Sequence, residues 1–184
     1  MKRGVIMSNN KKNVSKERII DLCGSILDLD GSIKENTQWY GRAFINKAGQ
    51  FIGVADDVYS DGHYLVAGRQ TKEGLSLIRC MVNGNPNVVV EYNTNRVNDT
   101  DTFTGESTLK FYANKHELGA CKLLSVPFEK TREYRSEEIY ALYGDIVESR
   151  SLLSPYQRAS YEDFIQTKKK ENTQGNIQEV HCVK

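Results

Sequence analysis

The sequence predicts a mainly β protein, an antiparallel up-and-down meander rolled into a barrel, with one helix before it and a helical hairpin after it. Between Trp39 and Val126, apolar and polar residues alternate in seven segments, each ended by turn residues. The segment centres fall near Gly41, Gly53, Val66, Leu77, Val89, Glu106 and Lys122, about twelve residues apart at first and about sixteen later. No crossover helix fits between them, so neighbouring strands run antiparallel. Three segments repeat an aromatic, a glycine and a small residue at alternate positions: Trp39, Gly41, Ala43; Phe51, Gly53, Ala55; Phe103, Gly105, Ser107.

Alternate residues share one face of a strand, so each of these triplets lies on a single face. Glycine weakens a strand interior, and its usual uses are a sharp bend at a barrel corner or room for a bulky neighbour. Both uses suit a strongly coiled sheet, and closure also removes exposed edges. A flat meander covered on one face by helices is the alternative.

Residues 1–14, polar and basic, are expected to be disordered. Residues 15–166 are read as a single barrel domain with flanking helices. In the first of these, Ser15 stands as an N-cap, and Ile19, Leu22, Cys23, Ile26 and Leu27 recur at intervals of three and four, predicting an amphipathic helix from about Lys16 to Leu29. Gly31 is its expected stop. Lys47-Ala48-Gly49, Ser60-Asp61-Gly62 and Lys72-Glu73-Gly74 read as hairpin loops with glycine at positive φ, Asn83 to Asn87 as a turn, and Asn93 to Asp101 as a longer polar connection.

Beyond Pro127 the period lengthens. Ser136 is placed to cap a helix through Ile139, Tyr140, Leu142, Tyr143, Ile146 and Val147, and Ser154-Pro155 to open a second through Tyr161, Phe164 and Ile165. Residues 167–184 read as a mobile tail.

With 25 basic and 24 acidic residues, the chain has a net charge of +1 and no overall pull towards nucleic acid or anionic membrane. The best basic cluster, Lys130, Arg132, Tyr134 and Arg135, is surrounded by Glu129, Glu133, Glu137 and Glu138, so nucleic-acid binding is not expected. Cys23, Cys80, Cys121 and Cys182 have no metal-site spacing and read as buried thiols, apart from Cys182 near the chain end. No run approaches the about 18 apolar residues of a membrane span. A cytoplasmic protein without metal or cofactor is expected.

Candidate chemistry is sparse. His63, His116 and His181 are the histidines, with His116 placed in a loop, and no local signature supports a Ser-His-Asp triad. Asp57 follows Phe51, Gly53 and Ala55 on one strand face. If that face is interior, Asp57 meets a ligand or an arginine: Arg79 on the Leu75, Leu77, Arg79, Met81 face, or Arg42 or Arg69 in the opposite register. Otherwise it sits in water beside Tyr59 and the Asp61-Gly62 turn.

The stretch from Trp39 to Val126 resembles the calycin group of lipocalin and avidin barrels in its aromatic-then-glycine first strand and its meander of short strands. It departs from the lipocalin order, in which glycine precedes tryptophan by two residues, so no ligand residue is carried over.

The function expected is non-catalytic binding of a small, partly apolar ligand, lined by Trp39, Phe51, Asp57, Tyr64, Arg79 and Phe103. The small inward residues Gly41, Ala43, Gly53, Ala55 and Gly105 are read as leaving a roomy interior. The alternative is a protein-interaction or homodimerisation module acting through Tyr140, Tyr143 and Tyr156 of the hairpin. An enzyme using Asp57 or His63 ranks third.

Overall fold

The computed structural model describes residues 18–128 and 136–167. Eight strands, β1 (Arg18–Ile26), β2 (Trp39–Ile45), β3 (Gln50–Asp57), β4 (His63–Gln70), β5 (Gly74–Met81), β6 (Val88–Arg96), β7 (Thr102–Phe111) and β8 (Asn114–Pro127), pair in chain order into a closed barrel. Every pairing is antiparallel, and β1 joins β8 to complete the circle. Two helices follow, α1 (Ser136–Ser151) and α2 (155–167). The closed sheet rules out the flat meander.

The stretch expected to be an N-terminal helix is instead β1, the strand that closes the barrel. Ile20, Leu22 and Ile26 point inward, whereas Ile19 packs outward among residues covered by the helices. Ile19, buried on the outer face, falls at intervals of three and four with inward Leu22 and Ile26, which imitates a helical stripe. Cys23, expected to be buried, is consequently exposed on the outer face. The Ser15 cap, the disorder expected over 1–14, the tail beyond Thr167 and the 130–135 basic cluster lie outside the described residues.

Three smaller expectations also change. Asn93–Arg96 belong to β6 rather than to a loop, and His116 lies in β8. Gly49 does adopt the left-handed conformation, at φ +83, but Gly62 and Gly74 do not. Gly62 is glycine for lack of space: a Cβ there would lie 2.3 Å from the Asp57 Oδ2.

Two apolar layers hold the domain together. The inner one fills the barrel with Trp39, Leu77, Tyr92, Phe103 and Leu123, among others. The outer one joins Phe44, Val54, Leu65 and Ile78 of the sheet to Leu142, Ile146, Leu153, Tyr161 and Phe164 of the helical hairpin. Glu137 and Glu138 in the first turn of α1 and Arg150 in its last complement the helix dipole. A capping box starts α2: the Gln157 N–H donates to the Ser154 Oγ at 3.1 Å, and the Ser154 N–H donates to the Gln157 Oε1 at 3.1 Å. Pro155 takes the first helical position, where its missing N–H has no intrahelical acceptor to lose. The Gln157 amide also donates to Met81 O at 2.8 Å, tying α2 to the end of β5.

Candidate functional site

Antiparallel order brings the end of β3, the start of β4 and the end of β5 together at one end of the barrel. Inward alternation then sets Asp57, Tyr64 and Arg79 side by side. Asp57 is the centre of this polar group. Its Oδ2 accepts from the Tyr64 hydroxyl at 2.7 Å and the Ser60 hydroxyl at 2.8 Å, and its Oδ1 lies 3.5 Å from the Arg79 Nη1. Arg79 is thus its arginine neighbour, while Arg42 pairs with Asp21 on the outer surface at 2.9 Å. Burial raises the Tyr64 phenol pKa, the Arg79 charge opposes this, and the bond to Asp57 adds to it. Tyr64 therefore remains a donor.

Arg79 is enclosed by aromatic rings. Its guanidinium carbon stands 4.1 Å from the ring centre of Tyr64, 5.6 Å from that of Trp39 and 5.8 Å from that of Tyr92. Such faces attract a cation, and more so when it is desolvated. The Trp39 Nε1–H donates to the Tyr92 hydroxyl at 3.0 Å, which braces two walls of the enclosure. The Arg79 Nε is buried without a hydrogen-bond partner, as is the Ser107 Oγ. Ser107 stands opposite Tyr92 in the strand register.

The six residues expected to line a ligand all lie on the inner side, but in two groups. Trp39, Asp57, Tyr64 and Arg79 gather at the end just described. Phe51 and Phe103 belong to the opposite end, where the Arg96 guanidinium stacks 4.5 Å from the Phe103 ring centre. Arg96 there donates to the carbonyl oxygens of Lys72 at 2.7 Å and Thr100 at 2.6 Å, drawing two loops across that end. The Ser125 hydroxyl, donating to the Gln70 Oε1 at 2.5 Å, adds a further link.

The expected roomy interior is not what the small residues produce. A Cβ on Gly41 would lie 2.4 Å from Val54 O, and one on Gly53 2.2 Å from Arg42 O, so these glycines let adjacent strands approach closely. Trp39, Leu75, Leu77, Tyr92, Phe103 and Leu123 fill the lumen and are each at most 1 % exposed. A larger space lies outside the barrel: a groove of about 380 Å³ between the hairpin and β2–β3, lined by Phe44, Ile45, Ile52, Tyr143, Val147 and Ile165, among others.

His63 makes an arrangement for which the sequence carries no local signal. Its Nδ1 lies 2.8 Å from the Asp56 Oδ1 and its Nε2 3.0 Å from the Ser149 Oγ, the order of a Ser-His-Asp triad. Ser149, on the buried side of α1, is 1 % exposed. Its neighbouring backbone N–H groups point along the helix, so they form no oxyanion hole. The chain of bonds fastens α1 to the barrel.

The hairpin tyrosines divide as well. Tyr140 and Tyr143 are more than half exposed, at 53 % and 56 %. Tyr156 is occupied, stacking on Tyr112 at 5.1 Å and donating to its carbonyl oxygen at 3.1 Å. Burial pushes the Cys80 and Cys121 thiols up to about 12, and burial followed by the Asp21 charge raises Cys23. Among the described residues, no three His, Cys, Asp or Glu side chains are grouped to hold a metal, and no helix is long and apolar enough to cross a membrane.

These features define a class: an eight-stranded, closed antiparallel barrel with a helical hairpin packed on its outer wall and a partly buried arginine–carboxylate pair inside one end. No family model matches the chain, and neither does any curated protein or solved structure.

Proposed function

We propose that this barrel is a cytoplasmic, non-catalytic binding protein for a small, partly apolar ligand, received at the end where Trp39, Asp57, Tyr64 and Arg79 converge. The observation that carries the reading is Arg79: a guanidinium walled by three aromatic rings, with its Nε buried and unpartnered. Leaving such a donor unpaired costs about 1–3 kcal/mol, and a ligand acceptor removes that penalty. The closed up-and-down order is in keeping with the calycin resemblance. The burial of Ser149 supports a non-catalytic role, and the free thiols of Cys23, Cys80 and Cys121 suit a reducing compartment. Native mass spectrometry of the protein from its own host tests the proposal. A reproducible small adduct that is lost in Arg79→Ala supports it; an adduct-free barrel counts against it.

A second reading is a homodimer formed through α1. Tyr140, Tyr143 and Val147 make an outward stripe, each more than half exposed, beside the groove against β2–β3. Light scattering would then give a dimer that Tyr140→Ser with Tyr143→Ser converts to a folded monomer. A monomer at all working concentrations ends this reading.

A further inference from the structure

Two unpaired polar atoms inside the barrel, one on Arg79 and one in the middle of β7, narrow the chemistry of the ligand. Both are hydrogen-bond donors: the Arg79 Nε–H and the Ser107 hydroxyl, each buried and without a partner. They flank the same residue, since the guanidinium lies 5.8 Å from the Tyr92 ring centre and Ser107 is Tyr92's register partner on β7. Tyr92 itself accepts from Trp39, which leaves its own O–H as a third donor in the same layer. A site with several donors and a cation calls for an acceptor-only, negatively charged group.

Asp57 does not fill this role. Its Oδ2 takes two hydroxyls at 2.7 and 2.8 Å, whereas its contact with Arg79 is a single one at the 3.5 Å limit. The carboxylate is therefore held mainly by Tyr64 and Ser60, and Arg79 can turn to a second anion without stripping Asp57 of its bonds. Met81 governs the room available. It follows Arg79 on the inner face and lies against two turns, since a Cβ on Gly62 would stand 3.1 Å from its Cε and one on Gly84 2.1 Å from its Sδ. Its unbranched thioether chain repacks readily.

We infer that the ligand of this end is a small organic carboxylate, its oxygens taking up the Arg79 Nε–H and the Ser107 hydroxyl and its apolar part displacing Met81. The inference rests on the preceding proposal that this end binds a ligand. The residue doublet Arg79–Ser107 selects the anion, and Met81 sets how large an apolar group enters.

Trp39 is the sole tryptophan of the chain and lies 5.6 Å from the guanidinium, so its emission reports occupancy directly. The test titrates the full chain with octanoate and 3-phenylpropanoate, each beside its primary amide, following Trp39 fluorescence and calorimetry. Each acid is expected to bind at least about tenfold more tightly than its amide, the difference between a charge-assisted and a neutral hydrogen bond. Arg79→Lys should erase most of that preference. Ser107→Ala should weaken the acid severalfold while leaving the fold intact, because it deletes an unpaired hydroxyl, and it keeps the test open if the arginine variant does not fold. Equal binding of acid and amide overturns the carboxylate assignment but not the ligand-binding proposal. So does acid binding that neither variant alters. No binding by any of the four probes also overturns the assignment, and the native mass spectrum then decides the proposal separately, because a neutral adduct would preserve it.

Discussion

His63 joins the barrel rim to α1 through Ser149, with its Nε2 3.0 Å from the serine Oγ and its Nδ1 held by Asp56 at 2.8 Å. Loss of a buried hydrogen bond that strands its partner costs about 1–3 kcal/mol. His63→Ala should therefore lower stability by about that amount in urea unfolding, because the buried Ser149 hydroxyl loses its imidazole partner. Ser149→Ala should cost less, since the partly exposed imidazole regains water. A fluorophosphonate probe should not label Ser149 in the folded protein. Labelling would turn the same three residues into a hydrolytic site.

Asp57 and Arg79 share an interaction whose removal from either side leaves a partly buried charge. Asp57→Ala and Arg79→Ala should each destabilise by about 1–3 kcal/mol in denaturant titrations. The double variant should lose less than the sum, because neither charge is then left behind. Strict additivity would mean that the 3.5 Å contact carries no coupling.

Gly24 tests how β1 closes the barrel. A Cβ at this position would lie 2.3 Å from two ring atoms of Trp39, which is itself 1 % exposed. Gly24→Ala should cost about 1–3 kcal/mol by overpacking and should shift the Trp39 emission. A silent substitution would show that β1 is not seated against the indole.

Alkaline pH should unsettle the core. The folded pKa values of Cys80 and Cys121 are raised from 9.0 to about 12 by burial, and that of Tyr64 is raised from 10.0. Groups raised in this way keep their full stabilisation below the unfolded values and lose it as pH climbs towards the folded ones. Stability should hold to about pH 9 and then fall steadily, and Tyr64→Phe should flatten the part above about pH 10. A thiol reagent at pH 8 should modify exposed Cys23 in the native state, whereas Cys80 and Cys121 should react only after denaturation.

The sequence was most informative where one strand face meets a filled interior and the other meets solvent or a helix. The Trp39-Gly41-Ala43 and Phe51-Gly53-Ala55 triplets set these residues on one face of each strand, and Leu75, Leu77, Arg79 and Met81 set an arginine on a shared face as one candidate partner for Asp57. Ser154-Pro155 announced α2 by capping chemistry alone, with Gln157 completing the box. Such signals are local, so periodicity and turn residues suffice to read them.

Other features depended on residues distant in the chain. Whether Ile19 to Ile26 form a helix or a strand was settled by β2 and β8, which offer hydrogen bonds on both sides. The purpose of the glycines was settled by how closely neighbouring strands coil, which turned an expected cavity into a packed lumen. The meeting of His63 with Ser149, 86 positions away, and of Arg79 with Trp39, Tyr64 and Tyr92 arose only when the barrel closed. By itself the sequence determined a meander of antiparallel strands followed by a helical hairpin, because alternation, turns and caps act within a few residues. Tertiary structure alone decided the number of strands, the filling of the interior and the pairing of its partly buried charges, because these follow from register and closure.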